Sequence, residues 1–396
     1  MVHVTLLYGG RSAEHDVSVR SARFVARTLC LQHTVMLIGI TRRGVWYAQP
    51  ACALEQLCTG TVALSIQEDE KRRVCLVPGG GTAGAFVIAG MPCVTDVVFP
   101  VLHGSYGEDG TVQGLLEMLQ VPYVGCGVCA SALAMDKVKA KMLWQAAGLP
   151  VLPFVFFRKD AWRMHMQEFV AQLETRLGYP LFVKPAQAGS SVGASAVQTR
   201  APLIPAIEAA FQWDEVVLVE RYVRAREIEC ALSGNGPYTV HGAGEVIAQG
   251  AFYDYEEKYA DASVARVLVT APLETAQYEQ ITTLALRAYE ALGLTGLARV
   301  DFFLLETGEV YVNEVNTMPG FTSISLFPQI CQAAGVAPQD LMAQLLSCAR
   351  ERFAARAALS TDLHAHVCAP SVTAAHDPDA QGDDWDQRDS NPLPTA

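Results

Sequence analysis

The sequence predicts a protein of the α/β and α+β classes that begins with an open, mostly parallel α/β domain. Short apolar runs alternate with amphipathic stretches, which is typical of strands connected by helices. The runs Val4–Tyr8, Val35–Ile40 and Val97–Leu102 are predicted strands, and Val19–Leu31 and Gly110–Leu119 are predicted helices between them. Helical crossovers connect parallel strands, and such sheets carry their ligand groups at the strand ends.

Length and composition indicate a folded protein with several domains. The chain has 396 residues, of which 51% are hydrophobic and 18% charged, and one hydrophobic core rarely extends over so many residues. We expect an N-terminal substrate domain at 1–130, a central subdomain at 131–235 and a C-terminal subdomain at 236–356. Residues 357–396 have little periodicity and are rich in Ala, Asp, Gly and Pro, which predicts a disordered acidic tail.

Further elements are predicted along the rest of the chain. Residues 50–90 lack a clear period and are predicted to form an irregular elaboration. The other predicted helices are Ala134–Ala147 and Glu279–Leu292, and the other predicted strands include Leu181–Pro185, Ala194–Gln198 and Val216–Tyr222. From about residue 240 we expect strands, a long polar loop, a helix and a final hairpin.

Charge and cysteine content limit the class of partner and the compartment. The formal net charge is −12, and residues 374–396, with six Asp and one Arg, contribute −5 of it, which leaves −7 for the rest. An acidic chain without a Lys/Arg-rich stripe argues against nucleic acid or an anionic membrane as a partner. The sequence has no apolar run long enough for a transmembrane helix. Its 11 cysteines, an odd number, favour free thiols in a reducing cytoplasm.

The strongest local signal is a pair of strands near the end of the predicted C-terminal subdomain. Leu297–Leu305 and Val310–Asn316 flank Thr307-Gly308, which predicts a hairpin with a two-residue turn. If Glu306 pairs with Glu309, the register of the two strands follows from that turn.

This register predicts a polar cluster on one face of the hairpin. Asp301 would lie opposite Glu314, and Arg299 opposite Asn316, with all four side chains on the same face. Facing acids need a cation between them, and two carboxylates with one amide oxygen suit Mg²⁺. A solvated polar face is the alternative. Metal binding is favoured because apolar neighbours such as Phe302 indicate a buried sheet.

A second signal indicates phosphate binding. Lys184 stands at the end of a predicted strand and is followed by the small-residue turn Gly189–Gly193, whose backbone amides could surround phosphate oxygens. The turn is not a Walker loop, because no Gly-Lys-Ser/Thr opens a helix. A plain hairpin explains the turn alone equally well. Together with Lys137, phosphate binding becomes the better interpretation.

Several single residues are weaker candidates for binding. Glu220 ends an apolar strand and Glu227 follows it, so the two form either a surface edge or a site for adenine and ribose. Glu14 could hold an ammonium group, and Ser325 with nearby amides could hold a carboxylate. For either residue a loop surface is as good an explanation, and a lone His103 is more often structural than catalytic.

Taken in order, these motifs resemble those of the D-alanine–D-alanine ligases, members of the ATP-grasp superfamily. The order and spacing of the matching segments extend over most of residues 3–350. The segments are Tyr8–Glu14, Leu102–Gly110, Met135-Asp136-Lys137, Val183-Lys184-Pro185, Gly189–Gly193, Phe252–Tyr259 and Asn313–Thr322. Two positions depart from the family pattern, since Ala188 replaces an acid before the glycine loop and Arg221 replaces a lysine.

The resemblance implies a fold, an activity and a set of ligands. It implies an ATP-grasp fold formed by the central and C-terminal subdomains. It implies that ATP converts one D-alanine to an acyl phosphate, which a second D-alanine attacks to give D-alanyl-D-alanine for peptidoglycan synthesis. Two Mg²⁺ ions per site, replaceable by Mn²⁺, a cytoplasmic location and a homodimer are further implications.

The resemblance also implies a role for each matched residue. Around the nucleotide these are Lys137, Lys184 and Lys258 at the phosphates, Ser190 and Ser191 in the loop above them, and Glu220, Arg221, Val223 and Glu227 at adenine and ribose. The implied metal ligands are Asp301, Glu314 and Asn316. Those implied for the two D-alanines are Glu14, His103, Tyr253, Ser325 and Leu326, with Arg299 and the Gly320 amide at the oxyanion and Tyr259 closing a loop onto Glu14.

Three other functions were weighed against this one. A ligase that takes a D-hydroxy acid second is the nearest, and Tyr259 favours the amine-using enzyme because ester-forming relatives tend to carry another residue there. A nucleotide-binding regulator without turnover would have no need for Arg299 at an oxyanion. A dinucleotide-dependent oxidoreductase is excluded because no GxGxxG follows the first strand.

Overall fold

The structure is a computed structural model that describes residues 1–59, 64–247, 266–322 and 324–361. Its contacts divide the chain into the units Met1–Ala354 and Ala355–Ala396. The three domains predicted within residues 1–356 stay a prediction. Most of the predicted acidic tail and all of the predicted loop around residue 255 lie outside the described residues.

The described residues form four sheets and the helices that pack on them. The strands are β1 (His3–Gly9), β2 (Thr34–Ile40), β3 (Trp46–Ala48), β4 (Val74–Leu76), β5 (Phe86–Ile88), β6 (Met91–Cys93), β7 (Val97–Val101), β8 (Phe154–Arg158), β9 (Leu181–Pro185), β10 (Ser195–Val197), β11 (Val216–Arg221), β12 (Ala225–Gly234), β13 (Thr239–Ile247), β14 (Arg266–Leu268), β15 (Gly296–Leu305) and β16 (Val310–Asn316). The helices are α1 (His15–Leu29), α2 (Ala51–Thr59), α3 (Gly81–Gly84), α4 (Thr111–Leu119), α5 (Val128–Met135), α6 (Lys137–Ala146), α7 (Lys159–Arg176), α8 (Leu203–Ala210), α9 (Thr275–Ala291), α10 (Leu326–Ala333) and α11 (Pro338–Ala357). None of these helices is long and apolar enough to cross a membrane.

The first sheet confirms the predicted N-terminal α/β arrangement. Its order is β3-β2-β1-β7, and β1 pairs in parallel with both β2 and β7. Helix α1 begins at His15 rather than at the predicted Val19, because its first turn is buried through polar contacts. Ser18 Oγ accepts a hydrogen bond from the Gly9 amide at 2.8 Å, and His15 Nδ1 lies 2.7 Å from the Gly10 carbonyl.

The region predicted as an irregular elaboration contains regular elements. Helix α2 begins at Ala51, and β4, β5 and β6 form a small antiparallel sheet in sequential order. The prediction for residues 50–90 is therefore wrong. Each of these strands has only three residues, which is too short for an alternating pattern to show in the sequence.

The single helix predicted at Ala134–Ala147 is two helices. Asp136 has extended backbone angles and separates α5 from α6. Its side chain caps α6 by accepting hydrogen bonds from the amides of Val138 and Lys139, both at 3.0 Å. An Asp at this position satisfies amides that a helix leaves without partners, so the chain turns just before Lys137 and presents that lysine at the start of α6.

The two later sheets are antiparallel and carry most of the candidate site. One has the order β10-β9-β11-β8, and the other has the order β14-β13-β12-β15-β16. The predicted strands β9, β10 and β11 are confirmed to within two residues at each end. Buried aliphatic residues of β12, β15 and β16 pack with α9 in one core cluster.

The hairpin of β15 and β16 turns differently from the prediction. The Leu305 amide donates to the Glu309 carbonyl at 2.9 Å, so Glu306 does not pair with Glu309 and the loop is one residue longer than predicted. Near the turn, Phe302 lies opposite Val312.

A β-bulge then restores the predicted register where it matters. The pairing shifts between Asp301 and Phe302, so Asn313 is an additional residue on β16. Beyond the bulge, Asp301 lies opposite Glu314 and Arg299 opposite Asn316, as predicted. Bulges of this kind redirect side chains and are common beside active sites.

Arg352 on α11 connects that helix to two distant segments of the unit Met1–Ala354. Its guanidinium donates to the carbonyl oxygens of Gly125 and Tyr123, the latter at 2.9 Å, and to Thr295 Oγ1 at 3.1 Å. It also lies 4.3 Å from the centre of the Tyr123 ring. These contacts join segments that are more than 50 residues apart in sequence.

We expect Arg352→Ala to lower the free energy of unfolding by about 3 kcal/mol, because three acceptors lose a charged donor. Urea denaturation followed by circular dichroism measures this change. The matched control is Arg350→Ala, an exposed residue on the same helix, which should change the free energy by less than about 0.5 kcal/mol. Equal effects of the two substitutions would contradict the role of Arg352.

Candidate active site

Most of the predicted site residues from the N-terminal segment, the glycine loop and the hairpin meet around one cavity, although Asp301 and Ser191 are not among the residues that line it. Its volume is about 900 Å³, which is in the range of small-molecule sites. The predicted residues that line it are Glu14, His103, Lys137, Ser190, Arg299, Glu314, Asn316, Gly320, Ser325 and Leu326. The sequence separations are large, so only the tertiary fold brings these residues together.

The hairpin face at the base of the cavity is a network of ion pairs. Arg299 binds the Asp301 carboxylate through two hydrogen bonds of 2.7 and 2.6 Å, and its Nε lies 3.1 Å from Glu229 Oε2. Burial acts to lower the pKa of Arg299, but the charges of Asp301 and Glu229 outweigh it and raise that pKa. The arginine is therefore a fixed positive charge in a partly buried position.

Two further predicted metal ligands lie on the same face of the hairpin. Glu314 Oε2 is 3.5 Å from the Lys137 ammonium, and Asn316 Oδ1 accepts a hydrogen bond from the Met318 amide at 3.0 Å. Among the described residues, no group of three or more His, Cys, Asp or Glu side chains has the arrangement of a metal site. The predicted ligands Asp301, Glu314 and Asn316 are not such a group, because the side chain of Asn316 is an amide.

Lys137 and Lys184, two of the lysines predicted to contact phosphates, have different surroundings. Lys137 donates a hydrogen bond to the Ala188 carbonyl at 2.8 Å. Ala188 departs from the family pattern, and it contacts Lys137 through its backbone and not through its side chain. Lys184 on β9 lies 2.7 Å from Glu220 Oε2. The other oxygen of Glu220 lies 2.6 Å from Lys141 on α6, so this carboxylate is buried between two lysines.

The residues predicted to hold adenine and ribose are Glu220 and three residues that follow it in the sequence. Arg221 is exposed and its Nε donates to the Leu177 carbonyl at 3.3 Å. Val223 follows β11, and Glu227 on β12 lies opposite Phe303. Of the described residues that line the cavity, none is Glu220, Arg221, Val223 or Glu227, so their contact with a nucleotide stays a prediction.

Glu14 is enclosed by the glycine loop and by the end of the first sheet. Ser190 Oγ donates a hydrogen bond to Glu14 Oε1. A Cβ atom at Gly104 would lie 2.6 Å from Glu14 Oε2, and one at Gly189 would lie 2.9 Å from it. Ser190 and Ser191 adopt φ angles of 51° and 58°, a left-handed conformation that is unfavourable for residues other than glycine. Such strain is retained at functional sites.

His103 is held in the wall of the cavity beside Glu14. Its Nδ1 donates to the Met318 carbonyl at 2.9 Å, and its Nε2 lies 3.0 Å from Ser21 Oγ. Burial lowers the pKa of His103, but a hydrogen bond and the charge of Glu108, followed by the charge of Glu14, raise it overall. The two contacts of its ring nitrogens thus give the imidazole a defined orientation.

The start of α10 also lines the cavity. Ser325 stands just before the helix, and its Oγ accepts a hydrogen bond from the Thr322 amide at 3.0 Å. The first amides of a helix, here beginning with that of Leu326, favour an anion. A Cβ at Gly320 would lie 2.9 Å from Ser325 Oγ, so a larger residue would displace this serine.

Two family models match the chain. The model described as "D-ala D-ala ligase N-terminus" matches residues 3–126, and "D-ala D-ala ligase C-terminus" matches residues 143–347. The chain belongs to the D-alanine–D-alanine ligase family. A curated relative, the D-alanine–D-alanine ligase of Treponema denticola, is 43% identical over 356 residues, which are 89% of this chain and 97% of that protein.

Solved structures of the same family agree with the fold. The D-alanine–D-alanine ligase of Coxiella burnetii has a TM-score of 0.77 at 32% identity and covers 90% of this chain and 96% of its own. The VanG D-Ala:D-Ser ligase of Enterococcus faecalis has a TM-score of 0.77 at 36% identity and covers 88% and 99%. These neighbours have the ATP-grasp fold, so that prediction and the predicted family are confirmed.

Two residues that contact predicted site residues, Lys141 and Glu229, were not predicted from the sequence. Lys141 follows Lys137 by one helical turn, a spacing that places both on the same side of α6. Glu229 follows Glu227 by two residues on β12. Its side chain therefore lies on the same face of the sheet as that of Glu227, which the sequence did predict as a site residue. Tyr253, Lys258 and Tyr259 lie outside the described residues, and their roles stay predictions.

Proposed function

We propose that this chain uses ATP to join two D-alanine molecules through a D-alanyl phosphate, and so supplies D-alanyl-D-alanine for peptidoglycan synthesis. The observation that carries the proposal is the position of Arg299. It lines the same cavity as Glu14 and Ser325, so one positive charge shares a cavity with an acid that could hold an ammonium group and with a helix start that could hold a carboxylate. Dipeptide formation needs groups of these three kinds close together.

Activation of the first carboxylate is assigned to the lysines and the glycine loop. A carboxylate does not acylate an amine at neutral pH, because oxide is a poor leaving group, and phosphorylation replaces it with phosphate. Lys137, Lys184 and Lys258 would compensate the charge of the phosphates, and Ser190 and Ser191 would present the loop amides. Catalysis of phosphoryl transfer consists mainly of such positioning and charge stabilisation.

The hairpin face fits the magnesium ions that the family implies. Asp301, Glu314 and Asn316 offer two carboxylates and an amide oxygen on one face, and oxygen ligands of this kind suit Mg²⁺, which completes its shell with water and phosphate. These residues would hold two Mg²⁺ ions, or Mn²⁺ in their place. When bound, the ions supply neutralisation of phosphate charge.

The two amino acids are assigned to different residues that line the cavity. Glu14 would bind the ammonium group of the first D-alanine, with His103 and Tyr253 beside it. Ser325 and the Leu326 amide at the start of α10 would bind the carboxylate of the second. When the second amine attacks the acyl carbon, Arg299 and the Gly320 amide would stabilise the charge that develops on oxygen.

Further assignments concern the adenine and ribose of ATP, the exclusion of water and the assembly of the protein. Glu220, Arg221, Val223 and Glu227 are assigned to adenine and ribose. Tyr259 would close its loop over Glu14 and exclude water, which would otherwise hydrolyse the acyl phosphate. We also propose a cytoplasmic homodimer whose ligands are D-alanine and ATP, without nucleic acid or membrane as partners.

Phosphate release from ATP and Mg²⁺, measured with a panel of D- and L-amino acids, tests this function. We expect release with D-alanine and none with L-alanine. D-serine must be tested as a second substrate, because the VanG neighbour is a D-Ala:D-Ser ligase. D-lactate must be tested as well, because a ligase that takes a D-hydroxy acid second is the nearest alternative. Preferential release with D-alanine plus D-lactate would indicate an ester-forming enzyme, and no release with any pair would indicate a regulator without turnover.

A further inference from the structure

The least exposed charged group near the proposed nucleotide site is not one of the predicted residues. Lys141 on α6 has a side-chain exposure of 0%, and its ammonium lies 2.6 Å from Glu220 Oε1. Burying an ammonium group is costly unless a partner compensates it. A lysine in this position therefore needs a reason beyond packing.

The charges around Lys141 do not balance. Glu220 is 2% exposed and lies between Lys141 and Lys184, and Lys184 is 8% exposed with its ammonium 2.7 Å from the other oxygen of Glu220. Lys184 also lies 3.4 Å from a neutral group, Asn313 Oδ1. The next acid that acts on Lys141 is Glu314, which lies 3.5 Å from Lys137. Three lysines thus share two acids, which leaves an excess of one positive charge.

We assign the excess positive charge to Lys184, because it is the more exposed of the two lysines that contact Glu220. Lys141 is enclosed, whereas Lys184 retains some exposure at the end of β9. The pKa of Glu220 agrees with this distribution, because burial acts to raise it but the charges of Lys141 and Lys184 lower it overall. Burial lowers the pKa of Lys141 below its ordinary value, and the charge of Glu220 opposes that effect.

We propose that Lys141 is a positioning residue for the nucleotide, which compensates the Glu220 carboxylate and so leaves the charge of Lys184 for a phosphate. Without Lys141, Glu220 would have Lys184 as its remaining close cation, and the attraction between them would compete with the phosphate. The inference rests on the proposed use of ATP and assigns to this lysine a role that acts through Lys184.

Calorimetric binding of ADP and of adenosine to the full chain tests the inference. The ratio of the adenosine Kd to the ADP Kd measures what the phosphates contribute to binding. In Lys141→Met we expect this ratio to fall by about tenfold or more, because a buried charge interaction is altered. The matched control is Lys139→Met, an exposed lysine on the same helix, which should leave the ratio unchanged.

A double variant separates charge compensation from packing. Lys141→Met combined with Glu220→Gln removes one positive and one negative charge together, so Lys184 no longer faces a carboxylate. We expect the ratio to return to within about threefold of its original value. This variant also keeps the original excess of one positive charge and tests the inference if Lys141→Met alone does not fold.

The outcomes distinguish this inference from the proposed function. An unaltered ratio in Lys141→Met, or a low ratio that persists in the double variant, would overturn the role of Lys141 while ADP binding by the original chain still supports ATP use. If the original chain binds neither ADP nor ATP, the proposed function itself is wrong, and the inference is overturned with it.

Discussion

Arg299→Ala is expected to lower kcat for dipeptide synthesis by about a thousandfold and to change the Kd of ATP by less than about threefold. The reason is that the guanidinium compensates a charge that exists only while the new bond forms. A group that acts only on the transition state affects turnover and leaves ground-state binding nearly unchanged. Initial-rate kinetics and calorimetric ATP binding measure the two effects.

The chain offers a matched control for this substitution. Arg226 lies on the same sheet and also binds a carboxylate, that of Glu245, through two hydrogen bonds of 2.8 and 2.7 Å. It does not contribute to the lining of the cavity in the described residues. Arg226→Ala should leave kcat within about threefold. Equal losses of turnover and ATP affinity in Arg299→Ala would show that the oxyanion assignment is wrong.

Glu314→Gln is expected to have the second largest effect, with kcat falling by at least about a hundredfold and the Mg²⁺ concentration for half-maximal activity rising by at least about tenfold. The amide keeps the shape of the side chain but removes the negative charge that a divalent cation requires. It also leaves Lys137 without the carboxylate that lies 3.5 Å from it.

Metal binding itself provides a measurement that does not depend on activity. The electron paramagnetic resonance signal of Mn²⁺ reports how much of the ion is bound in the presence of ADP, and Glu314→Gln should reduce bound Mn²⁺. Glu309→Gln is the control, because Glu309 is an exposed acid at the turn of the same hairpin. If Glu314→Gln retained full Mn²⁺ binding, the hairpin would not be the metal site.

The hairpin shows how a correct site can follow from a partly wrong local prediction. The turn was predicted with two residues, whereas Leu305 pairs with Glu309, and the register near the turn is shifted by one. The bulge at Asn313 cancels that shift before Asp301 and Glu314 are reached. A bulge depends on backbone geometry and on contacts with neighbouring strands, so the hydrophobic pattern of β16 does not reveal it.

Helix boundaries show a different limit of sequence-based prediction. Residues 134–147 have the composition of one helix, and the sequence pattern does not reveal that Asp136 separates α5 from α6. The capping interactions of Asp136 with Val138 and Lys139 compete with continuation of the helix. Which alternative is adopted depends on packing, here on the placement of Lys137 against the Ala188 carbonyl.

What the sequence determined by itself was the longer strands of the site, such as β9, β11, β15 and β16, and the face on which their polar residues lie. Apolar runs form buried strands because water excludes them, and a period of two places Arg299 with Asp301 and Glu314 with Asn316 on single faces. The motifs along the chain added the family. These properties depend on neighbours in the sequence, which a reader of the sequence can see.

Only the tertiary structure decided which of these groups meet. Ser190 donates to Glu14 across 176 positions of sequence, and Lys141 reaches Glu220 because α6 packs on the face of the sheet that carries this acid. Such contacts depend on how helices and sheets pack, and packing depends on the complementary shapes of many distant side chains. The pairing of charges, and with it the proposed role of Lys141, was therefore visible only in three dimensions.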